Sequence, residues 1–197
     1  MFETDMTFAG ELNRDTQQIA RGLRQGDVLL LQGLVEQYQY RLVRYLIYLL
    51  GRRDEVDDLI QETWLRVLER GRSYDGRSRF EPWLFTIARN LTIDHMRKRR
   101  SLSLDANDDD TAALSPASNA PSPFTLAARS EDSQRLAQSL QTLDFVYREA
   151  LVLRFQEDLS LQEIATVVGA PVSTVASRIY RGLATLRAQL DGGKHES

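Results

Sequence analysis

Three groups of side chains in this sequence have the types and spacing to act on a protein partner or a charged polymer. The first is Asp58, Gln61, Glu62 and Leu65, which lie three or four residues apart and so share one helical face. A leucine ringed by acids suits docking, because the apolar side chain anchors and the charged rim sets orientation. An ordinary solvated face with one stray leucine would read the same way. The second group begins at Tyr74 to Trp83, where Tyr74, Phe80 and Trp83 alternate with Arg77 and Arg79, and continues into Arg89, Asn90, Asp94, Arg97 and Lys98. Bases stack on rings while phosphates pair with guanidinium groups, so this mixture suits single-stranded nucleic acid. From Arg77 to Arg100 seven cations face two carboxylates, in a chain whose net charge is −3. The plainer alternative is a set of core aromatics followed by a helix end decorated with favourable cations, and Trp83, Leu84, Ile87 and Leu91 have core spacing.

The third group is Ser173, Thr174, Ser177, Arg178 and Arg181. Around it, Leu161, Ile164, Ala165, Gly169, Val175 and Ile179 fall where a helix-turn-helix needs small or apolar residues. The second helix of the pair would bury Val175, Ile179, Leu183 and Leu186. Its polar residues would then face a major groove, where arginines pair with guanine edges or phosphates. A plain helical hairpin with a polar face is the alternative.

Helices must position all three groups. Asp15 can cap a helix to Arg24, and Gly26-Asp27 supplies a stop and a new cap for a helix reaching Leu50. Gly51 ends it, with Arg52 and Arg53 beside its negative end. The spacing predicts further helices over Asp54 to Arg70, where Val56, Leu59, Ile60, Thr63, Trp64, Val67 and Leu68 form the core side, and over Phe80 to Arg100, with Pro82 tolerated in the first turn. Gly71 is read as the stop of the earlier one. Helices follow at about Glu131 to Leu143, Asp144 to Glu157, Ser160 to Val168 and Val172 to Leu190. No stretch has a strand period, so the expected fold class is all-α, with two small helical domains and a flexible linker. The expected division is 1–100, a Pro/Ser-rich acidic linker over 101–130 containing Asp108-Asp109-Asp110, a second domain over 131–190, and a disordered tail over 191–197.

Composition narrows the function by exclusion. Zero cysteines rule out disulfides and thiolate metal sites and fit a reducing compartment, and two histidines, His95 and His195, are too few for a metal centre. No cofactor is expected. The start of the chain lacks a signal peptide's basic region, and the most apolar window, Leu42 to Leu50, is short and broken by Arg44, so a cytoplasmic protein without membrane insertion is expected. There is no P-loop, glycine fingerprint or nucleophile with a paired base, which leaves an enzyme unsupported.

Taken together, these residues resemble the bacterial RNA polymerase sigma factors, in particular the extracytoplasmic-function group. The resemblance runs from about Asp15 to Leu190. It is carried by Asp54-Glu55-Val56-Asp57-Asp58-Leu59-Ile60-Gln61-Glu62-Thr63-Trp64, by Trp83-Leu84-Phe85-Thr86-Ile87-Ala88-Arg89-Asn90 with Asp94, and by Ser173-Thr174-Val175 with Ser177-Arg178. It implies that Asp58, Gln61, Glu62 and Leu65 dock on the clamp coiled coil of the polymerase's largest subunit. It implies that Phe80, Trp83, Asn90, Asp94, Arg97 and Lys98 melt and read a downstream promoter box, and that Ser173, Thr174, Ser177, Arg178 and Arg181 read an upstream box as duplex. An anti-sigma protein that masks these surfaces is also implied.

Two departures from the group's pattern stand out. Ala176 occupies a place where many members carry a basic residue, which would weaken or respecify upstream binding. The linker is long and acidic: as a free coil, its roughly 30 residues would average about 30 Å end to end, whereas duplex sites two helical turns apart are separated by roughly 70 Å. An extended path through a basic polymerase channel, with Asp108 to Asp110 mimicking nucleic acid, would bridge that difference. A stand-alone helix-turn-helix regulator that binds duplex DNA without polymerase remains the competing expectation.

Overall fold

The computed structural model describes residues 15–51, 53, 55–104 and 131–192, and among them there is no strand. Helix α1 covers 15–25. It is followed by α2 (Val28–Leu50), α3 (Val56–Arg70), a 3-10 turn at Gly71–Ser73 and α4 (Phe80–Leu104). The second group is α5 (Glu131–Gln141), α6 (Phe145–Phe155), α7 (Leu161–Val168) and α8 (Val172–Gly192). The fold is all-α, in two helical domains. Helix α4 runs four residues past the expected start of the linker, and residues 105–130, with Asp108 to Asp110, lie outside the described residues.

Local chemistry sets the helix ends. The Asp27 carboxylate accepts from Leu29 N at 3.0 Å and Leu30 N at 3.1 Å, satisfying two of the free N–H groups that open α2. Gly51 closes the same helix in the left-handed region at φ 69°. Ser160 and Glu163 cap α7 reciprocally, and Gly169 ends it with φ 64°. Gly71 follows the last residue of α3, as expected, but without the left-handed conformation of Gly51 and Gly169. Its φ is −54°, and a Cβ there would sit 3.1 Å from the Leu23 Cβ, so its small size serves a close approach to α1.

Leu42, Tyr45, Leu46, Leu49, Phe80, Leu84 and Phe85 fill the first domain, and Leu153, Leu159, Ile164 and Val175 the second. The buried set is continuous between them, because α2 packs on α5 and α6 while α4 packs on α7. One consequence concerns the last carbonyls of α2. Gln141 Nε2 donates to Tyr48 O at 3.1 Å, and Arg148 Nη2 to Leu49 O at 3.1 Å. The cation facing that negative helix end is therefore Arg148 of the other domain. Arg53, expected there, is exposed, and Arg52 lies outside the described residues.

Candidate nucleic-acid interface and docking face

The acidic face of α3 points to solvent as its period requires. Asp58 and Gln61 are exposed, Glu62 is half-buried, and Leu65 is 52% exposed. Leu68, expected on the core side, is also 52% exposed, at the edge of a stripe whose other expected members, Val56, Leu59, Ile60, Thr63, Trp64 and Val67, are all buried. Leu65 and Leu68 thus form an apolar pair one turn apart. Arg66 is tied down beside them by Glu62 and Glu69, each at 2.9 Å.

On α4, Asn90, Asp94, Arg97 and Lys98 are all exposed, and their spacing puts them on one face. Between that face and α3 lies a cavity of about 130 Å³ lined by Arg66, Arg70, Ile87, Asn90, Leu91 and Asp94. The opposite side of α4 is pinned to the start of α3 through Glu55, whose carboxylate meets His95 Nε2 and Arg99 Nη1, both at 2.8 Å. That anchor carries no period signal and was not anticipated from the sequence.

The aromatic group divides. Phe80 is 1% exposed, with ring centroids 5.3 Å from Tyr38, 5.4 Å from Tyr74 and 5.6 Å from Trp83. It is a core residue at the start of α4 and has no face for a base, contrary to the expectation from the sequence; Tyr74 is buried with it. Trp83 is half-buried and keeps part of its ring accessible. Burial and the neighbouring Glu81 charge push the Tyr38 hydroxyl up to about 12, against the pull of Arg41 and Arg79.

The helix-turn-helix is formed by α7 and α8. Val175 is fully buried, Ile179 and Leu186 are half-buried, and Leu183, expected inside, is 39% exposed. Ser173, Ser177 and Arg181 are exposed, whereas Thr174 and Arg178 are half-buried. Ala176 is exposed on the same helix.

Several arginines read as nucleic-acid cations have protein partners. Arg89 Nε meets Glu149 Oε1 at 2.9 Å, and Arg79 meets Glu81 at 3.1 Å and Glu163 at 3.6 Å. Arg41 and Arg44 of α2 reach Glu157 at 2.8 and 3.1 Å. Glu149 sits inside the apolar run ending Ala150-Leu151-Val152-Leu153. Its place on a buried face was the one available sign that it needs a cationic partner.

Family models for Sigma-70 region 2 and Sigma-70, region 4 match residues 34–102 and 133–186. The ECF RNA polymerase sigma factor SigW of Bacillus subtilis is 33% identical over 173 residues, covering 85% of this chain and 92% of that protein. The chain belongs to the extracytoplasmic-function group of RNA polymerase sigma factors. The RNA polymerase sigma-H factor of Pseudomonas aeruginosa is 31% identical over 170 residues, covering 84% and 88% of the two chains. Among solved structures, the sigma factor RpoE bound to the anti-sigma factor NepR from Bartonella quintana matches with TM-score 0.64 and 26% identity, over 84% of this chain and 98% of that one. CnrH bound to the cytosolic domain of CnrY gives TM-score 0.66 at 26% identity, over 89% and 97%. As a sigma factor of this group, the chain directs promoter recognition by RNA polymerase. Among the described residues no helix is long and apolar enough to cross a membrane.

Proposed function

We propose that this sigma factor works through three separate surfaces, with all catalysis supplied by the polymerase core. The acidic face of α3, with Asp58, Gln61, Glu62 and Leu65, docks on the clamp coiled coil of the largest subunit. The observation that carries this is the exposure of Leu65 together with Leu68, an apolar pair that an isolated folded chain gains nothing by leaving in water.

Helix α4 grips the melted downstream box. Asn90 and Asp94 present hydrogen-bonding groups at the mouth of the cavity between α3 and α4, Arg97 and Lys98 neutralise phosphates, and the accessible part of Trp83 offers a stacking surface. An unstacked base costs a few kcal/mol, which such contacts offset. Helix α8 reads the upstream box in duplex form through Ser173, Thr174, Ser177, Arg178 and Arg181. Residues 1–100 and 131–190 are the two working domains, 101–130 the tether and 191–197 a tail. The protein acts in the cytoplasm and is not an enzyme. An anti-sigma protein is a further partner, in keeping with the two solved relatives that carry one.

Transcription in vitro with core polymerase on a promoter library tests the reading. Site-specific initiation that depends on this chain supports it. An unaided footprint on an operator, with no response to polymerase, would instead favour the stand-alone regulator.

A further inference from the structure

Helix α4 carries its basic end on a projection. Leu84, Ala88 and Thr92 are fully buried, but from Ile93 to Ser101 no side chain is. The apolar packing that fixes the first half of the helix therefore stops short of Arg97 and Lys98. Helix ends without tertiary contacts fray or swing.

One carboxylate continues the hold where packing ends. Glu55 Oε2 meets His95 Nε2 at 2.8 Å, and Arg99 Nη1 donates to Glu55 Oε1 at 2.8 Å and to Oε2 at 3.1 Å. His95 and Arg99 are one turn apart and fall on the same stripe as Leu84, Ala88 and Thr92. Glu55 thus extends the inward stripe of α4 by about two turns with polar contacts. Asn90, Asp94, Arg97 and Lys98 occupy the other side of the helix, so whatever grips His95 and Arg99 also sets where those four point.

The place of Glu55 on its own helix supports this use. It immediately precedes α3, where an acidic side chain ordinarily accepts from the free N–H groups of the first turn. Glu55 makes no such cap bond, and its backbone is already helical at φ −94°, ψ −11°. Its side chain is only 14% exposed, turned to residues 40 and 44 positions further along the chain.

We propose that Glu55 is a positioning residue for promoter reading. By gripping His95 and Arg99 it fixes the roll and direction of the basic end of α4, so that Asp94, Arg97 and Lys98 meet the downstream strand together with Asn90. This rests on the assignment of that face to the downstream box. Reading contacts tolerate errors of only about 0.5 Å and 10–20°, and phosphate contacts set the register in which bases are met. A carboxylate that merely stood near DNA would repel it, and its removal would strengthen binding to every sequence. Positioning has the opposite sign and is confined to the box that α4 reads.

Holoenzyme transcription on three templates separates these cases: a promoter selected from the library by the wild-type chain, and two derivatives with either the downstream or the upstream box substituted. Glu55→Ala should lower the preference for the intact downstream box about fivefold and leave the preference for the intact upstream box unchanged. Glu55→Gln keeps an acceptor oxygen and should lose less. Arg99→Gln removes the same contact from the α4 side, and the double variant of Glu55→Ala with Arg99→Gln should be no worse than Glu55→Ala alone. The chain has no native cysteine, so spin labels placed by Ser73→Cys and Ser101→Cys, both exposed, report the aim of α4 in the free full-length protein. Their distance distribution should broaden on Glu55→Ala. An equal fall in initiation on all three templates would make Glu55 a stability residue and overturn the proposal, as would a rise in initiation or an unchanged distribution. Asn90→Ala checks the underlying assignment. If it leaves the downstream preference intact, that assignment fails and the proposal with it; a loss for Asn90→Ala beside none for Glu55→Ala overturns the proposal alone.

Discussion

Replacing Leu65 tests the docking face most directly, because the structure separates its effect on binding from its effect on folding. Full burial of a leucine side chain is worth about 1.5–3 kcal/mol. Leu65 is 52% exposed in the free chain, so a partner can cover only the remaining half. Leu65→Ala should therefore cost about 1 kcal/mol of polymerase affinity, five- to tenfold in Kd. Leu65→Glu loses the same contact and also places a carboxylate against an apolar partner, for a total of about 3 kcal/mol or on the order of a hundredfold. Fold stability should move by no more than about 0.5 kcal/mol, since no core contact is removed. Titration of a fluorescently labelled chain with core polymerase gives the first quantity and thermal unfolding the second. Equal affinity of Leu65→Glu and wild type would refute the assignment of this face. A large drop in unfolding temperature would show instead that Leu65 is a packing residue.

Phe80→Ala should destabilise the first domain by about 3–5 kcal/mol, as aromatic truncation in a core does, measurable by denaturant unfolding; a stable variant impaired only in promoter opening would restore Phe80 as a base contact. Lys98→Ala should weaken promoter binding nearly equally across sequences and lower the salt slope of log K by about 0.7–0.9, which a salt titration of holoenzyme binding reads directly. For Tyr38, a folded-state pKa of about 12 lies above the ordinary 10, so its contribution is full below pH 10 and is lost as pH rises towards 12. That loss should amount to about 3 kcal/mol, seen as a fall in urea stability across that window that Tyr38→Phe makes shallower, the raised hydroxyls of Tyr45, Tyr48 and Tyr74 contributing the rest.

Which parts were legible in the sequence follows from what each signal reports. Helix existence was readable because apolar residues recur at a helical period, and several ends were readable because capping is local: Asp27, Ser160 with Glu163, Gly51 and Gly169 act on atoms a few residues away. Leu68 and Leu183 were misplaced because a helical wheel fixes relative positions on a helix but not how wide a stripe its neighbours cover. Phe80 was misread because an aromatic beside arginines has the same composition whether its ring stacks on a base or fills a core. The ion pairs between the domains were invisible for a different reason. Their partners are separated by 60 residues for Arg89 and Glu149 and by 116 for Arg41 and Glu157, and no periodicity connects positions that far apart.

Arg89 brings these points to one measurable case. In the sequence it lies in a cationic helix next to Asn90 and invites a role as a phosphate contact. In the fold it faces a fully buried carboxylate, and its exposed neighbours Asn90 and Asp94 occupy the face beside the cavity. The two roles predict opposite behaviour for Arg89→Ala. A lost phosphate contact would lower the salt slope by nearly one unit and weaken promoter binding. A lost partner across the domains leaves Glu149 buried without its arginine, a penalty of about 3–5 kcal/mol. The salt slope of the holoenzyme would then stay at its wild-type value while the free chain unfolds at lower denaturant. Arg89→Ala should therefore lower unfolding stability while leaving promoter binding by the holoenzyme near its wild-type strength. Reduced promoter binding together with a reduced salt slope would return Arg89 to the nucleic-acid surface.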